Sequence, residues 1–285
     1  MSRAPRCPPP HVGGCERNHA TLNRDMRKFS LTCLGVGDGW SCADRNHAAF
    51  LYRFGKTTLL LDCGEPVDRS LTAAGVDYDS IDAIFLSHLH SDHLGGFFML
   101  MQGFWLEGRR RELPVHLTGG AIKPLQSMLN ALYLFDGLLN FRPRFVAHKA
   151  GRAVRVGDAQ VTPFPTTHLE GLRLKFQKKF PVDFSAFCFL LQAGGRRIGH
   201  SGDLGRPEDL EPLLQRPLDL LVCELAHFQP EELFLYLRGR SIKRIVFVHL
   251  ARTHWEDLGK TRRLAAKMLP GIPLTFAHDG TVIGI

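Results

Sequence analysis

No run of apolar residues in this chain is long enough to cross a bilayer. The longest candidates, FFMLM at 97–101 and FCFLL at 187–191, fall well short of the roughly 18 residues a spanning helix needs. The N-terminus carries early arginines but lacks the apolar centre of a secretory signal. The seven cysteines include no CxxC pair and are odd in number, and several sit in apolar runs where reduced, buried thiols are the default. These absences argue against a membrane protein and against a disulfide scaffold, and they make the cytosol the expected compartment. No internal repeat is visible. Two apparent nucleotide fingerprints also fail. GKTT at 55–58 has Phe50 where a phosphate loop needs its first glycine, and it leads into a strand; GVGDG at 35–39 is not followed by a helix.

The formal net charge is +8 and the pI about 9.3. Half of that charge, a net +4, falls in residues 1–28, which lack periodicity and contain PPP at 8–10 and GG at 13–14. That segment is expected to be a disordered basic tail, with 29–285 as the folded domain. Cys7, His11, Cys15 and His19 recur every fourth residue in the tail, but its prolines and glycines break the helix that would align them. The mildly basic remainder is compatible with a phosphate-bearing substrate without demanding one.

From residue 29 onward the pattern alternates. Strands are expected over 29–37, 48–54, 57–64, 81–87, 153–166, 184–195, 196–203, 218–226 and 242–250, with more near the C-terminus. Helices are expected after 94, over 121–135, at 206–214 with proline in the first turn, from 230, and over 253–269. Two β-rich halves, each followed by helices, suit an α/β fold in which two sheets pack on each other with helices outside, a four-layered αββα sandwich.

Histidine is what the chain has in concentrated form. Residues 87–96 read SHLHSDHLGG, placing His88, His90, Asp92 and His93 just after the apolar run IDAIFL. His88 and His90 are two apart, so an extended chain points them the same way, while Asp92 and His93 fall where a helix should begin. Two half-sites from one segment need further donors to hold a zinc-type ion. His168 follows TPFPTT, Asp203 ends RRIGHSGD, and His249 nearly ends IKRIVFVHL. Each could be a satisfied structural residue alone; a ligand at a strand end is also rigidly held yet faces a loop-lined cleft.

The succession SHLHSDHLGG, TTHLEG, SGDLG and FVHL resembles the metallo-β-lactamase fold superfamily of binuclear metal hydrolases over essentially 29–285. DCG at 62–64, AHDG at 277–280 and Arg45-Asn46 are similar to its ribonuclease Z-like branch. The resemblance implies a first divalent ion held by His88, His90 and His168, and a second held by Asp92, His93 and His249. Asp203 would bridge them and Asp62 would orient ligands from behind. The ions would be Zn²⁺ or Mn²⁺. Two such ions can share a water and lower its pKa, with Asp92 orienting or deprotonating it.

His227, in CELAHFQP, precedes His249 by 22 residues, a spacing similar to that of a helper histidine in ribonuclease Z relatives. It would protonate the leaving group, with Glu224 raising its pKa. Phe228-Gln229-Pro230 stands where those relatives carry Ser-Thr, and a helix-entry histidine beside Pro230 is the plainer alternative. His47 and His116 read as structural, and His200, His254 and His278 as peripheral.

The resemblance implies a phosphodiesterase acting on RNA or a smaller phosphodiester, with no membrane partner and a homodimer left open. Relatives that bind transfer RNA carry a long arm between the third histidine and the bridging aspartate, whereas 34 residues separate His168 from Asp203 here. LRLKFQKKFP at 172–181 reads either as a reduced phosphate-contacting loop or as a strand–turn edge with solvated lysines. Hydrolysis of a lactone, thioester or other acyl compound, and a non-catalytic metal-stabilised binding protein, are the competing functions. β-Lactam hydrolysis is disfavoured by the lack of an export signal.

Overall fold

A period of two in the strands sorts side chains into three cores, and those cores separate four layers. In a computed structural model describing residues 29–285, β1 (Phe29–Gly35), β2 (Ala49–Phe54), β3 (Thr57–Leu61), β4 (Ala83–Phe85), β5 (Leu113–Leu117) and β6 (Pro143–Ala147) form one sheet. The second contains β7 (Val154–Val156), β8 (Ala159–Thr166), β9 (Ala186–Ala193), β10 (Arg196–His200), β11 (Leu220–Leu225), β12 (Ile245–Leu250) and β13 (Leu274–Phe276). The last strand, β14 (Val282–Gly284), returns to pair with β1. The expected tail at 1–28, with its Cys–His pattern, lies outside the described residues.

Among the described residues each sheet has seven strands, ordered β14-β1-β2-β3-β4-β5-β6 and β13-β12-β11-β10-β9-β8-β7. From β14 the first sheet runs through three antiparallel ladders and then three parallel ones. From β7 the second does the same. The halves therefore repeat each other in topology although no repeat is visible in sequence.

Leu31, Cys33, Phe50, Tyr52 and Phe54 point to the core between the sheets, where they meet Phe187, Phe189 and Leu191 of β9. The alternate residues Leu34, Leu51 and Leu60 face outward under the helices α1 (Val67–Ala73), α3 (Phe97–Leu106) and α4 (Ile122–Ala131). Cys188 and Leu190 face the other way, under α6 (Glu211–Leu214), α7 (Pro230–Leu237) and α9 (Leu258–Met268). The parallel strands β11 and β12 are buried along their whole lengths and read as near-continuous apolar runs, as expected for strands covered on both faces. The expected α/β class with an αββα layering is the observed one.

Several elements differ from expectation. The helix expected at 253–269 is two, α8 (Arg252–Glu256) and α9. The chain breaks at Asp257, whose carboxylate accepts the Lys260 N–H at 3.0 Å and caps the second helix. The segment after His168 is neither a loop nor a strand edge at its start: Glu170–Phe176 forms the helix α5. Strand β6 was not anticipated. It is short and only partly buried, and it starts on a proline. The chain at 206–214 opens as a 3₁₀ turn over Pro207–Leu210 before α6.

Phe189 is fully buried, its ring 6.1 Å from that of Phe85 across the two sheets. Phe189→Ala is expected to cost about 3–5 kcal/mol of stability. Urea unfolding should show this as a lower midpoint at unchanged slope.

Candidate metal centre

The donors collect at the carboxyl ends of parallel strands, where open α/β sheets leave a crevice. After β4 the chain runs extended through Ser87 and His88 to His90 and turns into the one-turn helix α2 (Ser91–Leu94). Backbone bonds hold that turn in place, with Cys63 N–H donating to His93 O at 2.7 Å and Gly96 N–H to Cys63 O at 2.8 Å. Gly64 is required beside it: a Cβ there would fall 2.2 Å from the Asp92 carbonyl oxygen.

Asp62, just past β3, sits in the left-handed backbone region at φ 58° and turns its carboxylate under the histidines. Its Oδ1 accepts the Ser87 N–H at 2.7 Å and its Oδ2 the Ser87 hydroxyl at 2.8 Å. The same Oδ2 lies 2.8 Å from His93 Nδ1, and Ser87 Oγ lies 3.0 Å from His88 Nδ1. Since the Ser87 proton is committed to Asp62, its oxygen accepts from His88. Both imidazoles therefore carry a proton on Nδ1 and turn Nε2 inward.

His168 follows β8 on a loop tied to the Asp203 loop. Asp209 does the tying, accepting Thr167 N–H, Thr167 Oγ1–H and Gly205 N–H, each at 2.9 Å. Thr166 Oγ1 adds a 2.8 Å bond to Asp203 O. His249 is the extra residue of a β-bulge in β12, at φ 48°, and its N–H crosses to Val36 O of the other half at 2.8 Å.

Around Asp203 the two sets of donors separate cleanly. Its Oδ2 lies 3.7 Å from His88 Nε2 and 3.5 Å from His168 Nε2. Its Oδ1 lies 3.2 Å from His93 Nε2 and 3.7 Å from His249 Nε2. Asp92 Oδ2 stands 3.1 Å from His249 Nε2 and 3.5 Å from His93 Nε2. His90 joins the first set, with Nδ1 3.2 Å from His168 Nε2. The seven residues singled out in the sequence thus form two groups able to hold a cation, His88/His90/His168/Asp203 and Asp92/His93/Asp203/His249.

The donor set fits a metal better than it fits itself. Among the described residues, His88 Nε2 and Asp203 Oδ1 are buried without a hydrogen-bond partner. His93 Nε2 and His249 Nε2 face each other at 3.3 Å, about the separation of two nitrogens on one tetrahedral ion with bonds of roughly 2.0–2.1 Å. The electrostatics agree. Burial holds His88 well below the ordinary histidine range and His168 at about 4. Burial also disfavours protonating His93, but the charges of Asp203 and Asp62 outweigh it and raise that ring well above the ordinary range. Asp203 is driven well below the carboxylate range, its burial overcome by His249 and His93. Three buried or half-buried carboxylates call for positive charge in the pocket, and metal ions compete with protons to supply it.

His227 borders the pocket, with Nε2 3.7 Å from Asp203 Oδ2 and its side chain 32% exposed. Its Nδ1 is 2.8 Å from Oε1 of the fully buried Glu224. Glu224 also accepts Leu204 N–H and Ala226 N–H, which fixes it under the ring. Burial disfavours the imidazolium, but the hydrogen bond to Glu224 and its charge win, and the His227 pKa rises to about 9. The residues left aside stay aside. His200 is buried between the sheets on Tyr52 Oη at 3.0 Å, His47 Nδ1 lies on Asp38 O, His116 stacks on Phe85, and His254 and His278 are outside both groups. Ser87 and Asp209 went unnoticed in the sequence, since neither carries a local signal of its long-range partners.

An αββα sandwich with this cluster at its strand ends defines a metal-binding hydrolase of the metallo-β-lactamase fold. A family model described as Anti-Pycsar protein Apyc1 matches residues 29–229. Ribonuclease Z of Archaeoglobus fulgidus is 34% identical over 84% of this chain and 93% of its own length. In structure the chain is similar to the metallo-β-lactamase fold protein YhfI from Bacillus subtilis, with TM-score 0.72, 19% identity, and coverage of 90% of this chain and 98% of that one. It also resembles Zn²⁺-bound PqqB from Methylobacterium extorquens, with TM-score 0.67, 18% identity, and coverage of 90% and 100%. The chain belongs both to the family which that model describes and to the ribonuclease Z-like family of metallo-β-lactamase-fold, metal-dependent phosphodiesterases.

Asp62→Asn keeps the shape but loses the charge that fixes the His93 tautomer. It should weaken metal binding about 10–100-fold. Competition against a chromogenic chelator reads this, and wild-type affinity in the variant would contradict it.

Proposed function

We propose that this chain is a binuclear phosphodiesterase acting on RNA, with His88, His90 and His168 on one ion, Asp92, His93 and His249 on the other, and Asp203 on both. The observation that carries this reading is the division of the Asp203 carboxylate, one oxygen facing each imidazole set. Zinc suits the nitrogen-and-carboxylate donors, with manganese the alternative. RNA is favoured by the 34% identity to a ribonuclease Z. The arm expected of transfer-RNA binders is replaced by α5, which carries Lys175, and a turn bearing Lys178 and Lys179, so the docking surface on that side is short.

When bound, the ions supply an acidified water and a clamp on the developing phosphoryl charge. The chain's own residues handle the protons. Asp92 Oδ2 orients the water and takes its proton as the water oxygen bonds to phosphorus. Burial pushes Asp92 up, but the hydrogen bond from His249 and the charges of His93 and His249 prevail, keeping it an anion. His227 then gives its Nε2 proton to the leaving oxygen as the P–O bond breaks, while Glu224 holds the opposite face of the ring.

The cytosol is the compartment assigned by this reading, since Cys33, Cys63, Cys188 and Cys223 are buried free thiols. A homodimer belongs to it as well. Met128, Leu132, Tyr133 and Phe135, exposed at the end of α4, offer an apolar face to cover.

Asp203→Ala is expected to lose bound metal and nearly all turnover; full occupancy with retained activity would remove the bridge. His227→Ala should keep its metal and lose about 10²–10⁴-fold in kcat on RNA, and much less on a nitrophenyl ester whose leaving group needs no proton. Equal losses on both would sink the acid assignment. The acid form of His227 disappears as pH rises through its pKa, and bound cations pull that pKa below about 9. Glu224→Gln removes the group that raises it, so the alkaline limb of the rate profile should move to lower pH.

A further inference from the structure

A groove leaves the metal centre over the loop at 38–45. The cavity lined by His90, Asp92, Asp203, His227 and His249, of about 450 Å³, shares Asp38, Trp40 and Arg252 with an adjoining cavity of about 430 Å³ whose walls include Arg45 and Trp255. Trp40 stands in the shared wall with 69% of its surface open to solvent. A large apolar ring so exposed at the mouth of a polar site contributes little to folding.

The loop is nevertheless firmly placed. Asp38 O lies 2.8 Å from His47 Nδ1, and Asp38 Oδ1 accepts the Trp40 N–H at 3.2 Å. A Cβ on Gly39 would sit 3.6 Å from Asp92 Oδ2, so the residue next to Trp40 packs directly on a member of the ligand group. Two arginines, each paired with a carboxylate, reach the outer part of the groove. Arg252 is exposed and steadied by Glu256 at 3.2 Å, and the Arg45 guanidinium lies 4.8 Å over the Trp255 ring.

We propose that Trp40 and Arg252 form a nucleoside subsite beside the metal centre, the indole stacking on the base attached to the scissile phosphodiester and Arg252 meeting the next phosphate along. An open indole face accepts any base, and a nearby arginine matches the anionic backbone that joins bases. The assignment rests on the phosphodiesterase reading above, and it adds what selects the substrate.

The test compares metal-loaded wild type, Trp40→Ala and Trp40→Phe on two esters with the same leaving group, thymidine 5′-(4-nitrophenyl phosphate) and methyl 4-nitrophenyl phosphate. The preference for the nucleoside ester, as the ratio of kcat/KM values, should fall about ten-fold in Trp40→Ala through KM and be largely kept by Trp40→Phe, in line with the loss of one stacked base. An unchanged preference in Trp40→Ala overturns the proposal. Titration with AMP, followed by tryptophan emission, gives a readout independent of turnover: quenching is expected in wild type and should be absent in Trp40→Phe. If wild type cleaves neither ester, the phosphodiesterase reading fails, and the titration alone decides the subsite, with no quenching overturning it. Arg252→Ala should weaken a 5′-phosphorylated dinucleotide more than the nitrophenyl thymidine ester. Equal weakening removes Arg252 from the subsite.

Discussion

A single carboxylate, that of Asp203, sets the terms for the rest of the molecule. It is 2% exposed, and one of its oxygens finds no well-formed hydrogen bond among the described residues. An anion held so far from water costs several kcal/mol unless positive charge is brought to it. Two separate sets of imidazole nitrogens approach it, one from each side, and protons alone satisfy them incompletely. The fold can therefore be read as a frame that keeps this carboxylate, and the rings around it, in place for cations.

The frame works because each contributor is anchored to something stiff. Asp62 and Ser87 fix two ring tautomers from beneath, and Asp209 joins the loops of His168 and Asp203 through three bonds to one carboxylate. The two halves are tied where they matter. His249 belongs to the second sheet but donates to Val36 of the first half, and Val36 N–H in turn donates to Asp279 Oδ1 near the C-terminus. Repetition of the ladder pattern in both sheets brings the carboxyl ends of β4, β10, β11 and β12 to one edge, so residues far apart in sequence converge without long unsupported loops.

Much of this could be read in the sequence, for identifiable reasons. SHLHSDHLGG declares itself because its donors are adjacent, and His168, Asp203 and His249 because each follows an apolar strand. Most strands were legible from their alternation or their unbroken apolar runs. What escaped depended on distance or on small energies. Nothing near Asp209 announces that it accepts Thr167, 42 residues away. The left-handed bulge at His249 comes from a register slip between β11 and β12, which one strand cannot reveal. Strand β6 is too short and exposed to show a period, α5 is a single seven-residue helix of mixed pattern, and the break at Asp257 hinges on one cap. Trp40 carries no local signal, because only the assembled groove shows where it stands.

The central claim is that two cations share Asp203, and locating metal directly in crystals of the loaded protein tests it. An anomalous difference map is expected to contain two peaks, one bonded to His88, His90 and His168 and the other to Asp92, His93 and His249, with an oxygen of Asp203 on each. A single peak, or two peaks with Asp203 bonded to neither or to only one, would contradict the account.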